Sequence, residues 1–244
     1  MSLRSLSRRT RILSAATVAV LASAALIAAS ATGAQGGSAS SANAAVASAT
    51  VKGAADTLAL IKGIPQSGAW LGSPDAAIQL VVFADLQCPF CEKFDTTVMP
   101  TLIRDYVRTG KVRVFFSGMD FIGPDSNRGL KAAAAAADQN RLWYVVSILY
   151  DNQGTENKGW LSDKLLGNIA KALPGLDTKK FDQVRKGHTI DKRLAEWKAL
   201  STSAGVNSTP SFFAGTKGKL GKLAVTALEV PQFKAALDKL INAK

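Results

Sequence analysis

The chain has 244 residues, 30 lysines and arginines against 18 acidic residues, a formal charge of +12, 47% hydrophobic residues and only two cysteines. That composition supports one buried core and excludes both a disulfide-stapled miniprotein and a wholly disordered chain. No basic cluster is interleaved with aromatics, so the positive balance reads as a lysine-rich solvated surface with no nucleic-acid partner.

Arg4, Arg8, Arg9 and Arg11 precede the uncharged, mostly apolar stretch Ile12–Ala29 and a run of small residues. Residues 1–34 thus have the layout of an export signal, cleavable after Ala31 or Ala34, or retained as an N-terminal membrane anchor. Its removal lowers the charge from +12 to +8. Residues 35–55, dominated at the start by Gly, Ser, Ala and Asn, read as a flexible linker. Residues 56–244 remain for a single domain, and no internal repeat is visible.

Ile78–Ala84 is a short β-rich apolar run, as in a strand covered on both faces. A helix should open at Pro89, with Cys91, Phe94, Val98 and Leu102 on one face, a kink at Pro100 and a stop at Gly110. Val112, Val114 and Phe116 mark a second strand, completing a βαβ unit. Helices follow at Leu130–Gln139, Leu142–Tyr150, from the Ser162 cap to Leu173, from the Asp177 cap onward, and at Ile190–Ser203. Ser211–Phe213 reads as a strand, Gly215–Gly221 as a Gly/Lys-rich turn, Leu223–Val225 as a strand, and Pro231–Ile241 as the last helix. The fold class is α/β: βαβ, a helical insertion, then ββα.

Both cysteines lie in Asp85-Leu-Gln-Cys-Pro-Phe-Cys-Glu-Lys-Phe94, directly behind the first strand. At the helix start, Cys88 faces unpaired N–H groups and the positive end of the macrodipole, which favour a thiolate and make it the candidate nucleophile. Cys91 shares the apolar face, so it should be shielded and attack only a neighbouring sulfur. A purely structural bridge would close a very short loop and remove little unfolded-chain entropy. Zinc needs more ligands than two thiols and the distant His188. A copper(I) ion held by both thiolates is the alternative chemistry, with only Met99 and Met119 left outside the signal to assist it.

The stretch Phe83–Phe94, together with Leu71-Gly-Ser-Pro-Asp-Ala76 and Gly205-Val-Asn-Ser-Thr-Pro-Ser-Phe212, resembles the DsbA-like family of extracytoplasmic thiol-disulfide oxidoreductases, of the Gram-positive and actinobacterial type. The resemblance implies a thioredoxin fold with a helical subdomain inserted at about 122–204. It implies catalytic Cys88 and Cys91 supported by Pro89 and Phe90, and a cis Thr209–Pro210 loop that faces the cysteines and pairs with an extended substrate segment. It further implies no cofactor beyond the redox-active Cys88–Cys91 disulfide. Export points to reduced or unfolded exported proteins as substrates to which that disulfide is donated, with a membrane redox partner for recycling. The linker is too short and polar to be a dimerising N-terminal domain, so a monomer is expected. A reductase or isomerase stays open as the direction of exchange.

Two positions depart from the family pattern. Val82 stands six residues before Cys88, where many relatives carry a buried acid that can take the resolving thiol's proton. Asp85 reads instead as an exposed turn residue. Pro89-Phe90 lacks the histidine that strengthens the oxidising power of some relatives. His188, Trp143, Tyr144, Phe115 and Phe116 read as surface or packing residues.

Overall fold

The computed structural model describes residues 51–243. The signal-like segment 1–34 and residues 35–50 of the linker lie outside the described residues. Residues 51–55, assigned above to the linker, belong to the fold instead. Val51 is buried, and Ala54, fully buried, opens helix α1 (Ala54–Ile61). Composition could not reveal this, because small residues suit a tether and a tight helix contact equally well. Asn152 Nδ2 fastens the segment from outside by donating to the Lys52 carbonyl.

A short hairpin, β1 (Gln66–Ser67) and β2 (Trp70–Leu71), leads to the central strand β3 (Ile78–Asp85). All eight β3 residues are buried, which explains the unbroken apolar run. β3 pairs in parallel with β4 (Val112–Met119) on one side and antiparallel with β5 (Ser211–Thr216) on the other. The six-stranded sheet runs β1-β2-β4-β3-β5-β6. β6 (Lys219–Lys222) replaces the strand expected at Leu223–Val225. All four of its residues are exposed, so its edge position left no apolar signature. Leu223 extends the pairing by one N–H bond to the Phe212 carbonyl before the chain turns away.

The helix after β3 starts as α2 (Pro89–Lys93), widens through a π turn (Phe94–Val98), continues as α3 (Met99–Leu102) and ends in a second π turn (Ile103–Val107). The wider turns accommodate Pro100, which has no N–H for the α ladder. Thr96 Oγ1 and Thr97 Oγ1 donate to the carbonyls of Glu92 and Lys93 at 2.8 and 2.6 Å. Gly110, at φ 73°, lets the Lys111 N–H turn back to the Tyr106 carbonyl and close the helix.

Five helices separate β4 from β5: α4 (Pro124–Ala137), α5 (Leu142–Asp151), α6 (Asp163–Ala172), α7 (Thr178–Lys186) and α8 (Asp191–Ser203). Ser162 and Asp177 cap α6 and α7 through their side chains. α4 begins six residues before the alanine-rich run, with Pro124 in its first turn. The last helix, α9 (Val230–Asn242), returns to the sheet. There Phe94, Phe212 and Phe233 stack with centroids 4.6–5.1 Å apart, tying the cysteine helix, β5 and α9 together. The architecture is a thioredoxin fold with an inserted helical subdomain.

Candidate active site

The pairing of β3 with β5 brings two loops together. Phe83, near the end of β3, faces Ser211, the first residue of β5. The chain leaving β3 therefore reaches Cys88 beside the chain entering β5 through Thr209 and Pro210. The Thr209–Pro210 peptide is cis. Cys88 Sγ lies 3.4 Å from the Thr209 carbonyl oxygen, to which its thiol donates. Ser211 Oγ donates to the Ser208 carbonyl at 2.7 Å and closes the loop from the other side.

Cys88 is the residue before the first helical turn, with extended backbone angles, and Pro89 follows inside the helix. The two cysteines are not bridged. The Cys91 thiol, the Thr209 hydroxyl and the backbone N–H groups of Phe90 and Cys91 direct hydrogen bonds to Cys88. Against the opposing effect of burial, they lower its pKa to about 6. Cys91, only 1% exposed, behaves oppositely: burial first, then the hydrogen bond to Cys88 and its charge, push its thiol well above the ordinary range. At neutral pH the pair is one thiolate beside one retained proton.

Phe90, between the cysteines, is 63% exposed. It borders a groove of about 310 Å³ formed by Ser208–Phe212 and the Val225–Leu228 segment. Phe121, two residues beyond β4, is also exposed. Among the described residues no group of three or more His, Cys, Asp or Glu side chains could hold a metal ion. His188 is at the surface, 2.9 Å from Asp191. Trp143 and Phe116 are buried, while Tyr144 and Phe115 pack at the core's edge.

Asp85 corrects the expectation of an exposed turn residue, because it is fully buried. Its Oδ1 accepts the Gln87 N–H at 2.8 Å and its Oδ2 accepts the Ile122 N–H at 3.1 Å. A carboxylate satisfied by two backbone donors can remain under the loop. Its own carbonyl accepts from Tyr150 Oη.

Gln87 and Gln153 also escaped the sequence reading. Gln153 Nε2 donates to the carbonyls of Leu86 and Cys88 at 2.8 and 3.2 Å. Gln87 Nε2 donates to Ser126 Oγ and Asn157 Oδ1, and Gln87 Oε1 accepts the Asn157 N–H. The α5–α6 connection is thus strapped to the backbone that carries Cys88. The adjacency of Gln87 to Cys88 was the only signal available; nothing local pointed to Gln153.

The family model described as Thioredoxin matches residues 66–239. A Bacillus anthracis protein named "Probable disulfide bond formation protein D" is 31% identical over 172 residues, covering 69% of this chain and 76% of that protein. Oxidised BdbD of Bacillus subtilis superposes with a TM-score of 0.63 at 20% identity, over 73% of this chain and 97% of that one. Wolbachia pipientis alpha-DsbA1 superposes with a TM-score of 0.60 at 25% identity, over 74% and 94%.

Proposed function

Because the chain belongs to the thioredoxin family and is a DsbA-like thiol-disulfide oxidoreductase, we propose that it donates a Cys88–Cys91 disulfide to reduced proteins outside the cytoplasm. The observation that carries this reading is the asymmetry of the pair. A Cys88 thiolate formed near pH 6 stabilises the dithiol state, and whatever stabilises the dithiol makes the disulfide more oxidising.

A substrate thiolate attacks Cys88 Sγ, the Cys88–Cys91 bond breaks, and Cys91 leaves with the electron pair. A second substrate thiolate then attacks the substrate sulfur of the mixed disulfide and releases Cys88 as a stable thiolate. The substrate loses two electrons and gains a disulfide, while both enzyme cysteines end reduced. Thr209 and Pro210 border the groove beside Phe90, where an extended segment carrying the reacting cysteine would lie. A membrane redox partner would reoxidise the dithiol.

Arg4–Arg11 followed by Ile12–Ala29 supports export, as signal or anchor, and an oxidising compartment suits the chemistry. No helix among the described residues is long and apolar enough to cross a membrane. The reaction uses the two sulfurs without a cofactor, and one copy suffices for it.

The test is oxidative refolding of a reduced, unfolded secreted protein by the oxidised mature domain. Wild type should consume substrate thiols stoichiometrically, Cys88→Ala should do nothing, and Cys91→Ala first loaded with glutathione as a Cys88 mixed disulfide should release glutathione and take up substrate through Cys88. Full turnover in Cys88→Ala would overturn the reading.

A further inference from the structure

A buried thiol that is made and consumed needs a place for its proton. The strand position that could hold an acid near Cys91 is Val82, itself 3% exposed. One turn beyond Cys91 on the same helix stands Asp95, 7% exposed, whose Oδ1 accepts a single 3.3 Å hydrogen bond from Ser147 Oγ. Residues four apart on a helix share a side, with Cβ atoms about 5–6 Å apart. Tyr150, on the covering helix α5, is 3% exposed and its Oη donates to the Asp85 carbonyl at 3.2 Å.

Asp95 makes no ion pair among the described residues. The groups around it are Glu92 on its own helix, Ser147, Tyr150 and Asp151 on α5, Asp56 on α1 and, across a cavity, Arg104. That cavity, about 260 Å³, runs from Asp95 and Ser147 past Asp151 to exposed Asp56 and Arg104. It is polar and roomy enough for several waters.

We propose that Asp95 accepts the proton of Cys91 when Cys91 attacks a mixed disulfide, returns it when Cys91 leaves, and exchanges it with solvent through this cavity. The proposal rests on the exchange reaction above and identifies the group that supplies its missing proton acceptor. In the reductive direction the Cys91 S–H bond breaks and an Asp95 O–H bond forms. The freed Cys91 electron pair attacks Cys88 Sγ, and the partner sulfur leaves as a thiolate. Burial lifts the Asp95 carboxyl from 3.8 to about 7, so both its forms are present near neutrality, as a group serving both directions requires.

The reduced protein mixed with dithiobis(nitrobenzoate) in a stopped-flow instrument reports both steps. The first nitrothiobenzoate released reads Cys88 attack, and the second reads resolution by Cys91. In Asp95→Asn the first phase should keep its wild-type rate. The second should slow about tenfold or more at pH 7 and shift its pH midpoint upward, and Asp95→Glu should restore it. A second phase in Asp95→Asn with wild-type rate and midpoint overturns the proposal. Should that variant not fold, Ser147→Ala serves, since loss of its hydrogen bond must move the midpoint upward; an unmoved midpoint is equally fatal. A wild type that releases no second equivalent refutes the exchange reaction, and with it the role of Asp95.

Discussion

Cys88 Sγ and the carbonyl oxygen of Thr209 lie 3.4 Å apart although 121 positions separate them in the chain. Antiparallel pairing of β3 with β5 sets that distance, so the environment of the thiol is a property of the sheet as much as of its helix. The Thr209 hydroxyl adds a hydrogen bond that favours the thiolate.

Thr209→Val keeps the backbone carbonyl and removes that hydroxyl. One hydrogen bond to a charged sulfur is worth about 1.5–3 kcal/mol, so the Cys88 pKa should rise by about one to two units. The pH dependence of iodoacetamide alkylation at Cys88, with Cys91 replaced by Ala in both proteins, measures the shift.

Stability of the reduced protein should depend on Cys88 in a defined window. Its folded pKa, about 6, lies below the ordinary 9.0 of an unperturbed thiol. The folded state therefore sheds this proton more readily than the unfolded one. The stabilisation is absent below pH 6, grows from pH 6 to 9 and is complete above 9. Urea unfolding of reduced wild type against Cys88→Ser should show a gap that widens over those three units.

Phe90→His places a titratable ring between the cysteines. Phe90 is largely exposed, so folding stability should change by no more than about 0.5 kcal/mol. An imidazolium beside Cys88 should lower the thiol's pKa further and raise the reduction potential. Alkylation profiles and redox titration of the variant measure both.

Gln153→Ala leaves the Leu86 and Cys88 carbonyls without their side-chain donor. The loss should cost about 1–3 kcal/mol in denaturant unfolding. It should also speed amide hydrogen exchange in the Leu86–Cys88 loop more than in β3.

The central strand and the cysteine helix were legible because each leaves a local mark, whereas the cis Thr209–Pro210 loop was expected only from the family resemblance. Ile78–Ala84 is apolar throughout, Pro89 opens a helix, and Cys91, Phe94, Val98 and Leu102 recur at helical spacing. β6 left no mark, since a solvent-facing edge strand of lysine and glycine looks like a turn. The burial of Asp85 depends on Ile122, 37 positions away, and Gln153 reaches Leu86 across 67. Asp95 was hidden for the same reason: α5 covers it, and a carboxylate on a helix otherwise reads as solvated.

The most direct test of the account is the equilibrium of the purified mature domain with glutathione redox buffers, scored by the fraction of Cys88 and Cys91 joined as a disulfide. A disulfide donor exchanges rapidly and has a reduction potential above that of the glutathione couple, which is the result expected. A pair that exchanges quickly but lies well below that couple would make the protein a reductant. A pair that does not exchange at all would reduce Cys88–Cys91 to a structural bridge and contradict the account.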